Sequence, residues 1–101
     1  MAKGVVWTET AKNQRREILE YWIKRNGNKR YSRRISATFR KRIKYLVEFN
    51  YLGKPTDFKD HRVTAAGHFS IFYKVQTDRI IITSIWDNRQ DPDDLQKMLE
   101  I

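Results

Sequence analysis

Apolar residues recur along this chain with two different periods, and the change from one to the other falls near residue 55. Ala11, Ile18, Leu19 and Trp22 share one helical face, with Arg15 among them, as a repeat of about 3.6 residues requires. Thr8 or Thr10 offers a side-chain oxygen to cap this helix, and Glu9 puts an acid in its first turn. Asn26-Gly27-Asn28 stops it, because glycine and asparagine accept left-handed backbone. Tyr31, Ile35, Phe39, Ile43 and Leu46 repeat the helical spacing and predict a second helix from about Lys29 to Asn50. Leu52-Gly53-Lys54-Pro55 closes that one. So short a break between two helices predicts an antiparallel hairpin.

Outside the helices the pattern is that of strands. Gly4 to Thr8 reads as a short opening strand, and Asp57 to Val63 as an irregular one ended by a turn at Thr64-Ala65-Ala66-Gly67. From His68 to Val75 the chain alternates, with Phe69, Ile71, Tyr73 and Val75 on one side and Ser70, Phe72 and Lys74 on the other. Arg79 to Trp86, built around Ile80-Ile81-Ile82-Thr83, is β-branched and apolar on both faces, as an interior strand should be. Asp91-Pro92-Asp93-Asp94 opens a short last helix, with proline near its start and acids in its first turn. The expected fold is α+β: a strand, two helices, a three-stranded antiparallel meander and a short C-terminal helix, in one domain over residues 1–101.

Composition narrows the picture. At 101 residues, 40% of them hydrophobic, the chain can bury a core unaided, and with no cysteine it has no disulfides or thiolate metal sites. No apolar run approaches the roughly 20 residues of a membrane helix, and Met1 to Val6 do not form a secretory signal, so a cytoplasmic protein without a membrane partner is expected. The net charge of +9 is unevenly placed: residues 12–44 hold thirteen Lys/Arg against two acids, whereas residues 45–101 hold seven against nine. Arg30, Arg33, Arg34, Arg40, Lys41 and Lys44 project from the second helix opposite its apolar face. A block this basic calls for an anionic partner such as nucleic acid, a ribosome or an acidic protein.

Candidate chemistry is sparse. His61 and His68 lack helical ligand spacing, the glycines are isolated, and no serine sits in a nucleophile elbow; no metal or cofactor is expected. What remains is a polar set on the meander: Lys59, His61 and Arg62, then His68, Tyr73 and Lys74, then Asp87, Asn88 and Arg89. Brought together on one concave face, they would supply the base, the phosphate-stabilising cations and the acid that RNA cleavage through a 2′-hydroxyl requires. The plainer assignment puts Tyr73 and Trp86 in the core, Arg62 in an ion pair with Asp60 or Asp87, and Arg89 in one with Asp87 or Asp91.

The order of these segments resembles the RelE/ParE toxins. The resemblance rests on the strand ending in Trp7, the helix opening near Ala11 and the closure Leu52-Gly53-Lys54-Pro55. It also rests on Gly67-His68-Phe69-Ser70-Ile71-Phe72-Tyr73-Lys74-Val75, on Asp78-Arg79-Ile80-Ile81-Ile82, and on Trp86-Asp87-Asn88-Arg89-Gln90-Asp91-Pro92. It covers nearly the whole chain. It implies a toxin of a type II toxin–antitoxin module, held inactive by a cognate antitoxin that wraps it. RelE-like members cut mRNA on the ribosome without a metal; ParE-like members poison DNA gyrase. The RNase reading comes first on this sequence. It makes Arg62, His61, His68 and Arg89 catalytic, and it gives nucleic-acid binding to Arg30, Arg33, Arg34, Arg40, Lys41, Lys44, Lys59 and Lys74. Arg89 matches the terminal arginine of the RNase pattern. Ser70 stands where that pattern usually has an arginine, and the late tyrosine of some members would fall near Leu95. Gyrase inhibition and a non-toxic RNA-binding module of the same fold are the alternatives.

Overall fold

A computed structural model describes residues 3–89 of the chain, so the expected C-terminal helix from Asp91 lies outside the described residues. Strand β1 (Gly4–Trp7) leads into helix α1 (Glu9–Asn26), then α2 (Arg30–Glu48), a two-residue β2 (Lys54–Pro55), and strands β3 (Arg62–Ala66), β4 (Phe69–Val75) and β5 (Arg79–Asp87). The Thr8 hydroxyl caps α1 by accepting from the Ala11 amide at 3.1 Å. Gly27 ends α1 at φ +69°, the left-handed region that glycine enters without a Cβ clash. The two helices are pinned where the Ser32 hydroxyl donates to the Leu19 carbonyl.

The sheet runs β1-β5-β4-β3-β2. The meander is antiparallel as expected, but β1 joins it parallel to β5, with Gly4 opposite Arg79 and Trp7 opposite Ile82. The expected turn at Thr64–Gly67 is shorter than the sequence indicated. Thr64, Ala65 and Ala66 are strand residues, Ala66 faces Phe69, and only Gly67-His68 reverses the chain, with Gly67 at φ +64°. Backbone hydrogen bonding between two long-range partners outweighs the weak strand preference of alanine. Ahead of β3, residues 57–60 form a turn rather than a strand, in which the Thr56 hydroxyl accepts from the Phe58 amide at 3.1 Å.

One face of the sheet carries Phe69, Ile71 and Tyr73 from β4 beside Ile80, Ile82 and Ile85 from β5, all buried. Ala11, Ile35, Phe39 and Leu46 of the helices close over it, and Phe39 meets Phe69 edge-to-face with ring centroids 5.3 Å apart. Arg15, the one charged residue on the apolar face of α1, covers the Trp7 ring with its guanidinium 4.5 Å from the centroid. No described helix is long and apolar enough to cross a membrane.

Candidate functional site

The polar residues of the meander collect at two ends of the sheet. At one end, Arg62 lies opposite Tyr73 on β4. Tyr73 is fully buried, and its hydroxyl accepts from the Gly53 amide at 2.8 Å and donates to the Asn50 carbonyl at 3.0 Å. Burial raises the pKa of this phenol, only partly offset by the Gly53 amide and the nearby Arg62 charge, so it stays a neutral structural pin. Arg62 donates to the Gly53 carbonyl at 2.8 Å and lies over the Tyr51 ring, 4.8 Å from its centroid. It forms no salt bridge among the described residues, so the expected pairing with Asp60 or Asp87 is not what holds it. The His61 ring donates through Nδ1 to the Lys59 carbonyl at 2.9 Å. Tyr51, Thr56, Asp60, His61, Arg62 and Lys74 line a cleft of about 440 Å³.

At the other end, Asp87 lies opposite Phe69, four residues along β4 from Tyr73 and therefore about 13 Å away at roughly 3.3 Å per residue. Arg89 grips Asp87 through two oxygens, at 2.8 and 2.9 Å, and donates to the Tyr31 hydroxyl at 3.2 Å. Its guanidinium also sits over the rings of Trp22 and Phe69, 4.6 and 5.4 Å from their centroids. Burial pushes the Asp87 carboxyl up, but the Arg89 hydrogen bonds and charge, with a smaller effect of His68, outweigh it and hold the pKa below its ordinary value. The bond to Asp87 raises the Arg89 pKa against the effect of burial, with help from Tyr31. His68 sits exposed in the β3–β4 turn, and its backbone carbonyl accepts from the Asn88 amide at 2.9 Å. Ser70 donates to the Asn88 side chain at 2.8 Å. Gln14, Tyr21, Trp22, Arg25, Trp86 and Arg89 line a larger cleft of about 630 Å³ beside this end.

The structure therefore brings His61, Arg62 and Lys74 together, with Lys59 alongside, and brings His68 and Arg89 together, but the two groups do not converge. Trp86 is half-buried and lines a cleft, short of the full core burial expected of it. Arg30, Arg33, Arg34, Arg40, Lys41 and Lys44 are all exposed along α2. Between α2, α1 and β1 lies a third groove, floored by Val5, Trp7, Phe39 and Ile43 and rimmed by Arg15, Arg40 and Lys44. Tyr51, Trp22 and Tyr31 carry no signal in the sequence as partners of the two arginines. Tyr51 follows the end of a helix, where no period applies, and the other two read as core spacing. Among the described residues no group of three or more histidines or acids is placed to hold a metal ion.

A helix hairpin laid on a mixed five-stranded sheet is the fold expected from the resemblance to the RelE/ParE toxins. The model of the ParE toxin of the type II toxin–antitoxin system parDE matches residues 5–92, and the chain belongs to that family. Its family implies a cognate antitoxin as partner. Among solved structures the fold is similar to a chain of the chromosomal ParDE toxin–antitoxin system from P. aeruginosa. The TM-score is 0.71 at 19% identity, with 83% of this chain and 94% of that chain covered. A search among curated proteins gives no match.

Proposed function

We propose that this toxin acts by docking on DNA gyrase, without bond-breaking chemistry of its own. The observation that carries the reading is the separation of the candidate RNase residues into two groups, in each of which the arginine is already engaged by the fold. Arg62 is committed to a carbonyl and a ring, and Arg89 to a carboxylate at 2.8 Å. A phosphorane needs its cations and proton carriers within hydrogen-bond reach of one phosphate, and about 13 Å of strand is too far. Ser70, where RNase members carry an arginine, leaves a further gap. The test is a comparison of two assays on the purified toxin. Inhibition of supercoiling by gyrase, with no cleavage of mRNA on translating ribosomes, is the expected result; mRNA cleavage with gyrase unaffected overturns it.

One observation favours a second reading, the metal-independent ribosome-associated endoribonuclease. His61, Arg62 and Lys74 share a cleft of about 440 Å³, and the bond from His61 Nδ1 to the Lys59 carbonyl orients the ring. In that reading Lys59 and the α2 cations hold RNA, and reversing Arg30, Arg33 and Arg34 to glutamate removes roughly one unit of salt slope for each lost phosphate contact.

The antitoxin has a fitting surface in the groove of Val5, Trp7, Phe39 and Ile43, whose apolar floor and cationic rim match an acidic amphipathic segment. Coexpression with the antitoxin should raise the toxin's melting temperature by mass action.

A further inference from the structure

The end of α2 carries exposed apolar side chains, of which only Tyr51 lines one of the clefts described above. Tyr45, Phe49, Tyr51 and Leu52 are exposed to 44, 55, 67 and 43%. Four large apolar side chains exposed within eight residues mark a surface that a binding partner normally covers. The backbone beneath is fixed. The Phe49 amide donates to the Tyr45 carbonyl at 2.7 Å, and the Leu52 amide to the Phe49 carbonyl at 3.0 Å. The Asn50 side chain caps the helix by donating to the Leu46 and Val47 carbonyls. Rigid aromatic anchors of this kind are what concentrate binding energy at protein interfaces. Lys41, one turn before Tyr45, Lys44 next to it and Lys54, two residues past Leu52, are all exposed.

We infer that this patch is the surface by which the toxin engages its cellular target, a protein presenting an apolar groove with an acidic rim. The inference rests on the reading that the toxin acts by docking. Phe49 and Leu52 have no polar atom to orient on a nucleic acid, and leucine has no ring to stack. A second copy of the chain is disfavoured because the same lysines would face each other across a two-fold axis, in a molecule of net charge +9. The antitoxin already has the groove beside β1, which shares only Lys44 with this region.

The experiment is the double variant Tyr45→Gln, Phe49→Gln, which removes both rings from exposed positions, one in the last turn of α2 and one at its C-cap. Growth arrest should weaken by roughly tenfold or more in the dose of toxin required, while melting temperature and antitoxin affinity stay at wild-type values. The single variant Lys41→Glu, on the open side of α2, should shift toxicity in the same direction and guards against loss of fold in the double variant. Full toxicity in both variants overturns the inference. So does a parallel loss of antitoxin affinity, a wild-type dimer that the double variant dissolves, or selective loss of affinity for a single-stranded oligonucleotide. If wild-type toxin leaves gyrase untouched while the variants still lose toxicity, the docking surface stands and the gyrase reading falls. If wild type and variants inhibit gyrase equally, the gyrase reading stands and the surface falls.

Discussion

Two arginines, Arg62 and Arg89, sit at opposite ends of the same sheet and are held by different means. Arg89 is neutralised by a carboxylate and boxed in by Trp22, Phe69 and Tyr31. Arg62 has a carbonyl for a partner and one exposed ring for a platform. A carboxylate cancels the charge an anion would seek; a carbonyl leaves the net charge in place. Both positions drew attention as catalytic candidates because arginine suits phosphate, yet the same planar fork also suits a structural bond. The partner, not the residue type, separates a cation still able to attract an anion from one built into the fold.

The contrast can be broken first at the Arg62 end. A Cβ on Gly53 would lie 2.6 Å from the Val63 carbonyl oxygen and 2.8 Å from the Tyr73 ring. Backbone is in the way, so Gly53→Ala should cost about 3 kcal/mol or more in urea unfolding and displace Arg62 with it. An unchanged unfolding midpoint would mean that the α2–β2 turn is not the anchor described.

Next in size, Tyr73→Phe removes only the hydroxyl and strands the Gly53 amide and the Asn50 carbonyl. A loss of about 2 kcal/mol is expected from two buried groups left without partners. Nuclear magnetic resonance shifts confined to residues 50–53 and 62 would show that the effect is local, and shifts reaching Arg89 would show that the two ends are coupled.

At the other end, Arg89→Ala leaves the Asp87 carboxylate, whose side chain is 11% exposed, beside aromatic rings without its cation. The expected loss is about 1–2 kcal/mol, between the limits for exposed and buried pairs because Arg89 itself reaches solvent. A docking toxin of this stability loss keeps its gyrase inhibition below the melting temperature. A folded Arg89→Ala protein with no toxicity at all would return Arg89 to the catalytic role.

The smallest effect is acid dependence. The Asp87 pKa is lowered in the folded chain, so the stability it confers is complete above the unfolded value, near pH 4. That stability is lost as pH falls through the folded value. Asp87→Asn should therefore lower stability at neutral pH and flatten the unfolding curve below about pH 4. An unaltered acid profile would show that the pair with Arg89 does not form in solution.

Much of the fold was legible because helices announce themselves locally. Thr8, Gly27 and the spacing from Tyr31 to Leu46 carry their structural meaning within a few residues. The shortfalls lie where meaning depends on a distant partner. Ala65 and Ala66 look like turn residues until Ser70 and Phe69 are placed opposite them. Lys54-Pro55 reads as a helix stop and is also a short edge strand against Arg62 and Val63. The candidate site suffered more than the fold. Residue types alone put histidine, arginine and lysine in one cluster, whereas the register of β4 sets them a strand length apart.

The parallel pairing of β1 with β5 has a consequence in time. The Thr8 hydroxyl donates to the Thr83 carbonyl across 75 positions of chain. At roughly 5–20 residues added per second, β1 waits about 4–15 s after its own synthesis for the strand it must lie beside. During that interval the nascent chain has a helix hairpin without the interior strand that completes its sheet. A chain broken off before residue 79 lacks the strand that both β1 and β4 lie beside, and cannot complete this sheet.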